Sequence, residues 1–161
     1  LLCPKLKAWH AGESKWNNYV NLNDYSLGIE LENKGHEYGY SSFTLKQYVS
    51  LKKIIKFLKN NFYILDRNII YHSDISPNRK IDPGEKFDIQ KIGIRRFKHI
   101  KRQNKNYSLE QLLILYGFHL SHVKNYKNYC IKSVKRSLNY KNITSKITKN
   151  FIKDFNNLIF K

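Results

Sequence analysis

A chain of 161 residues makes one ordinary domain or two small ones, and its 41% hydrophobic and 14% aromatic content is enough to fill a core. No apolar run approaches the roughly eighteen residues of a spanning helix, which excludes one, and two cysteines as far apart as Cys3 and Cys130 exclude a disulfide framework. The net charge of +18 is spread along the chain, is mostly lysine and travels with abundant Asn and Ile. It therefore reads as solvated faces encoded by AT-rich DNA, and no nucleic-acid partner is expected.

In chain order, the first patterned segment is residues 25–31. Tyr25, Leu27, Ile29 and Leu31 alternate with Ser26, Gly28 and Glu30, the period of a half-buried strand. Residues 35–42, rich in Gly, Ser and Tyr, form a loop. Thr44 followed by Gln47 makes a capping box that opens a helix through about Asn60, with Tyr48, Leu51, Ile54, Ile55 and Leu58 as its apolar stripe. Ile69, Ile70 and Tyr71 read as a short buried strand. Pro77 and Pro83 then impose a non-helical path on residues 72–84, HSDISPNRKIDPG.

That loop is the most informative stretch of the chain. His72 stands ten residues before Asp82, and a rigid loop of that length can fold the carboxylate back beside the imidazole. A hard oxygen and a borderline nitrogen suit one Zn²⁺. Beyond the loop, residues 91–100 predict a closing helix and residues 101–107, KRQNKNY, a linker. Ser108 with Gln111 caps a helix carrying Leu109, Leu112, Leu113 and Tyr116 that stops at Gly117. Two more helical stripes follow: Tyr126, Cys130, Val134 and Leu138, then Phe151, Ile152, Phe155, Leu158 and Ile159.

Three segments, AWHAG at residues 8–12, NLNDYSLGIELEN at 21–33 and HSDISPNRKIDPG at 72–84, resemble the type 2 N-acetylmuramoyl-L-alanine amidases in order and approximate spacing. The likeness covers most of the front of the chain and is closest to bacterial members with a His, His, Asp zinc set. It implies an α/β fold, a mixed central sheet with flanking helices like that of the peptidoglycan recognition proteins. The division expected is an amidase domain at 1–100, a linker at 101–107 and a three-helix module at 108–161. That module resembles, more distantly, a peptidoglycan-binding unit; its plainer reading is a helical extension packed on the front domain.

The resemblance implies zinc-dependent hydrolysis of the amide between N-acetylmuramic acid and L-alanine, in peptidoglycan or muropeptides. It makes His72 and Asp82 zinc ligands, Lys80 the cation facing the oxyanion, and Trp9 and His10 part of the substrate cleft. Its IGIE pattern selects Glu30 as general base, with Glu32, on the same strand face, as the fallback. From composition alone Trp9 reads as core, and His36, His99, His119 and His122 as surface. The implied compartment is the cell envelope or periplasm, with the cytoplasm as the alternative.

The family's first zinc ligand is a histidine on a strand tens of residues upstream of AWHAG. Here Leu1 lies seven residues before Ala8, so the chain as given is expected to lack that ligand and strand, to bind zinc weakly, to have little or no amidase activity and to associate with a separately supplied upstream segment. The alternative function is a catalytically impaired peptidoglycan-binding remnant.

Overall fold

Helix α1 runs Leu45–Phe62 in the computed structural model, which describes residues 3, 5–96, 100–101, 106–120 and 124–160. Its start is the predicted capping box: the Thr44 hydroxyl accepts from Gln47 N at 3.2 Å and the Gln47 side chain accepts from Thr44 N at 2.8 Å. Tyr48, Leu51 and Ile55 are buried, but Ile54 of the predicted stripe is 45% exposed. The three buried residues pack with Phe43, Tyr71, Phe87, Ile92 and Ile94 in one cluster. Phe87 is its hub, edge-on to Phe43 at 5.3 Å and to Tyr71 at 5.7 Å and stacked on Tyr48 at 5.6 Å.

A second cluster joins the beginning of the chain to its end. Strands β1, Lys15–Trp16, and β2, Tyr19–Val20, form an antiparallel hairpin in the register Lys15 to Val20 and Trp16 to Tyr19. Trp16, with Ala11, Leu22 and Ile75, packs against helices α3 (Leu109–Tyr116), α4 (Tyr126–Ser137) and α5 (Lys149–Ile159). All three helices lie where the periodicity predicts them. Helices α3, α4 and α5 thus share one buried cluster with the front of the chain.

Gly117 shows how closely the two ends fit. It closes α3 at φ +127°, and a Cβ there would lie 2.4 Å from the Trp16 ring. Its carbonyl accepts from Asn17 N at 2.7 Å. Gly117→Ala is expected to lower stability by more than about 1 kcal/mol, because the backbone strain and the clash act together. An unchanged thermal midpoint would show that Trp16 moves aside freely.

Helices with one small sheet place the chain in the α/β class, but the hairpin is the only ladder among the described residues. Residues 25–31 and Ile69–Ile70–Tyr71, predicted as strands, pair with no neighbour there. Alternation fixes which way side chains point along extended backbone, whereas a ladder also needs a partner backbone about 4.8 Å away. Tyr25 and Ile29, on the supposedly buried side, are 66% and 40% exposed.

Two further expectations change. The closing helix predicted over 91–100 is a 3-10 turn, Ile89–Ile92, that Gly93 ends at φ +76°. Residues 97–99 of that segment, 102–105 of the linker, and His99 and His122 lie outside the described residues. The loop after Tyr71 does not avoid helix altogether either: it opens with one turn, α2, His72–Ile75, before Pro77 stops it.

Candidate functional site

Helix α2 sets His72 at the edge of the molecule by burying its other residues. Ser73 and Asp74 are fully buried, and Asp74 accepts from Tyr71 N at 2.9 Å, tying the first turn to the residue before it. The remaining acceptor sites of Asp74 are filled by Arg96, by Ser133 Oγ at 2.8 Å and by the Tyr116 hydroxyl at 3.2 Å. Arg96 is itself buried and lies 4.4 Å over the Tyr71 ring. Burial and the neighbouring carboxylate push the Tyr116 hydroxyl's pKa up, so it stays a donor. An acid on α2 thus gathers donors from α3, α4 and the segment after the 3-10 turn.

The chain then turns back. Lys80 N and Arg79 N both bond to Ser76 O, at 2.9 and 3.0 Å, and Ser73 N donates to Asp82 O at 3.0 Å. The outcome is the predicted convergence of His72 and Asp82: Nδ1 and Oδ2 are 2.9 Å apart. Burial raises the Asp82 pKa, but the His72 bond and the charges of His72 and Lys80 outweigh it and hold the carboxyl below its usual value.

The first motif closes over this pair. His72 Nε2 lies 3.3 Å from the Ala11 carbonyl, and Arg79 donates to the carbonyls of Glu13 at 2.6 Å and Ala11 at 3.4 Å. Ser76 Oγ also donates to Glu13 O. The Ala11 carbonyl and the Asp82 carboxylate only accept, so each ring nitrogen of His72 faces an acceptor, and a proton or a metal ion between Nδ1 and Oδ2 would suit that pair. Orientation of a ligating imidazole by a carbonyl on its far nitrogen is the usual support of a metal-bound histidine.

The donor chemistry fits zinc, whose tetrahedral ligands would sit about 3.4 Å apart, so the pair needs to open by a few tenths of an ångström. The donor count is short. No group of three His, Cys, Asp or Glu placed to hold a metal occurs among the described residues. His10 and His36, the other candidates nearby in sequence, are engaged elsewhere. His10 contacts Ala8 O at 3.1 Å and Ser26 Oγ at 3.0 Å. His36 contacts Glu85 Oε2 at 3.0 Å and stacks on Tyr40 at 4.1 Å.

Of the other expected site residues, Trp9 is 83% exposed, with Lys7 Nζ 4.6 Å over its ring, so it is not core. His10 is wedged against Gly28, where a Cβ would approach the imidazole to 2.7 Å; a side chain there would expel it. Glu30 and Glu32 are both exposed. Glu30 follows the His10 contact by two residues, and the Glu32 carbonyl accepts from Gln47 at 2.7 Å, so anchors flank Glu30 on both sides.

Sequence reading missed Asp74, Arg79 and Arg96, and also the clasp formed by His36 and Tyr40. Tyr40 donates to Pro83 O at 2.7 Å, immediately after Asp82. Gly84 leaves the room for this, since a Cβ would lie 2.4 Å from the Tyr40 oxygen. Asp74 and Arg79 lie inside the motif loop, so their position was a usable signal. Arg96 had none in a chain with 30 lysines and arginines.

The family description "N-acetylmuramoyl-L-alanine amidase" matches residues 3–85. The chain is 39% identical over 90 residues to the N-acetylmuramoyl-L-alanine amidase AmiD of Escherichia coli K12, a stretch that covers 53% of this chain and 33% of that protein. It is 40% identical over 83 residues to the 1,6-anhydro-N-acetylmuramyl-L-alanine amidase AmpD of Haemophilus influenzae, covering 51% of this chain and 43% of that one. The matches therefore span under half the length of these curated relatives.

Among solved structures, E. coli AmiD in complex with anhydro-N-acetylmuramic acid-L-Ala-D-gamma-Glu-L-Lys superposes with TM-score 0.79 at 25% identity, covering 94% of this chain and 67% of that one. AmpDh3 of Pseudomonas aeruginosa gives TM-score 0.84 at 23% identity over 98% of this chain and 70% of that one, a likeness of fold. Both cover the helical extension as well as the front.

Proposed function

Because the chain belongs to the N-acetylmuramoyl-L-alanine amidase family, we propose that it acts on muropeptides or peptidoglycan, cleaving the amide between N-acetylmuramic acid and L-alanine. The observation that carries this reading is the facing pair His72 Nδ1 and Asp82 Oδ2, 2.9 Å apart, with the imidazole oriented by Ala11 O. His72 and Asp82 would hold zinc, which when bound lowers the pKa of its water to about 7 and polarises the scissile carbonyl.

The chain's own residues do the rest. Glu30, held between the His10–Gly28 contact and the Gln47 anchor, takes a proton from the attacking water onto its carboxylate and returns it to the departing L-alanine nitrogen. Lys80, two residues before Asp82, places its ammonium toward the carbonyl oxygen as charge develops there. Trp9 offers an exposed aromatic face to the sugar or peptide. The ligand of the AmiD complex contains a γ-linked D-glutamate. That linkage leaves its α-carboxylate free, so a substrate of this kind would bring at least one anion into the cleft.

The helical extension over 108–161 would serve as a wall of the same site and, as a peptidoglycan-binding module, hold longer strands. No helix among the described residues is long and apolar enough to cross a membrane; the envelope or periplasm is the compartment proposed, with the cytoplasm as the alternative.

A second reading, a wall-binding protein impaired in catalysis, is favoured by the two-donor count. Zinc decides between them. The 161-residue chain dialysed against a weak chelator is expected to retain well under one equivalent of zinc, and His72→Ala or Asp82→Asn to retain none, by metal analysis. One tightly held equivalent, with brisk release of stem peptide, would overturn the impaired reading and require a third donor.

A further inference from the structure

Arg136 stands on α4 one turn after Ser133, whose hydroxyl reaches Asp74 at 2.8 Å and Ser73 at 3.4 Å, so both residues face α2. It is only 8% exposed, its Nε is fully shielded, and among the described residues its guanidinium makes no hydrogen bond or ion pair. The neighbouring Lys135, also buried, shows the usual solution: its ammonium donates to Lys146 O at 2.7 Å.

Arg136 is within electrostatic reach of Glu85, Tyr40, Asp74 and Asp82, and each of these already has a partner. Glu85 contacts His36, Asp82 contacts His72, Asp74 holds Arg96, and Tyr40 donates to Pro83 O. Its Nε, shielded and without a partner, makes the charge costly to keep there, while the two terminal nitrogens are not shielded in this way. Burial accordingly pushes its pKa down, the surrounding acids only partly opposing. The guanidinium therefore lies among the acids around the site, with Glu85 exerting the strongest pull on it and Asp82 the weakest.

We propose that Arg136 is the anion anchor of this site, binding a free carboxylate on the substrate's peptide through its guanidinium. The proposal rests on the muropeptide reading above and adds a specificity that the front motifs do not carry. Either the α-carboxylate of a γ-linked glutamate or the peptide's terminal carboxylate supplies the same chemistry, since both offer two oxygens to the fork of an arginine.

The test is calorimetric titration of the 161-residue chain, in excess zinc, with anhydro-N-acetylmuramic acid-L-Ala-D-γ-Glu-L-Lys in three forms: free acid, glutamate α-amide and C-terminal amide. Amidating one carboxylate is expected to weaken binding to the natural chain about ten- to a hundredfold, the size of a charge-assisted contact, and shows which group docks. Arg136→Gln is expected to bind the free acid as weakly as the natural chain binds that amide, and to lose the discrimination. Arg136→Met is expected to melt at a higher temperature than the natural chain, since an unpartnered buried charge is gone; a bracing role would lower the melting temperature.

Equal binding of all three forms to the natural chain overturns the assignment even if the variants fail to fold, and leaves the muropeptide reading standing. A lower melting temperature in Arg136→Met, with binding of every form weakened alike, also overturns it. No binding of any form by the natural chain overturns the muropeptide reading and this one together.

Discussion

Asp74→Asn is expected to cost about 3–5 kcal/mol, the penalty for breaking a buried ion pair from one side, and so to lower the thermal midpoint by roughly 6–20 °C in a chain of this size. Asp74 is fully buried and accepts from Arg96, Tyr116, Ser133 and Tyr71 N. An amide keeps the volume but turns one oxygen into a donor that faces other donors, and it leaves the Arg96 charge in the interior. Replacing both members, Asp74→Leu with Arg96→Met, should recover much of the loss, because no charge is then stranded. Circular dichroism melts of the two variants and the natural chain decide it. A single variant within 2 °C of the natural chain would mean that the network reorganises around water.

Loss of zinc affinity should accompany that destabilisation, because α2 carries both Asp74 and His72. The helices after residue 108 therefore bear on the site through one carboxylate, and deleting them is expected to loosen His72.

In protein that cleaves a muropeptide, Glu30→Gln is expected to reduce turnover about 10²- to 10⁴-fold while leaving zinc content and melting temperature unchanged. Glu30 is exposed and, among the described residues, makes no hydrogen bond or ion pair, so its carboxylate has no structural task to lose. Glu32→Gln is the control. Its backbone carbonyl, not its carboxylate, carries the contact to Gln47, and the variant should fold and turn over normally. Natural rates in Glu30→Gln with an inactive Glu32→Gln would transfer the base to Glu32.

The pattern of agreement follows from the range over which each signal acts. Helices α1, α3, α4 and α5 were legible because a cap, an apolar stripe and a stop lie within one segment, as Ser108, Leu112 and Gly117 do for α3. The approach of His72 and Asp82 was legible because the loop between them is short enough to return on itself. Residues 25–31 and 69–71 were misread as paired strands because alternation reports the backbone's local geometry and says nothing about a neighbour.

That Trp9 is exposed was not legible from its composition, since the same indole serves a core or an open face. Arg136 and Arg96 could not be told from the other basic residues of a lysine-rich chain. What distinguishes them is burial, supplied by helices that follow the motifs by tens of residues.

The sequence by itself determined the family, the helices and the identity of the two facing donors, because these depend on residue type and short spacing. Only the tertiary structure decided that Ala11 O faces His72, that Asp74 joins α2 to α3 and α4, and that Arg136 is buried with its Nε unpartnered. Each of those depends on groups far apart in the chain, where the deciding quantities are distance and exclusion of water, and neither is written in local spacing.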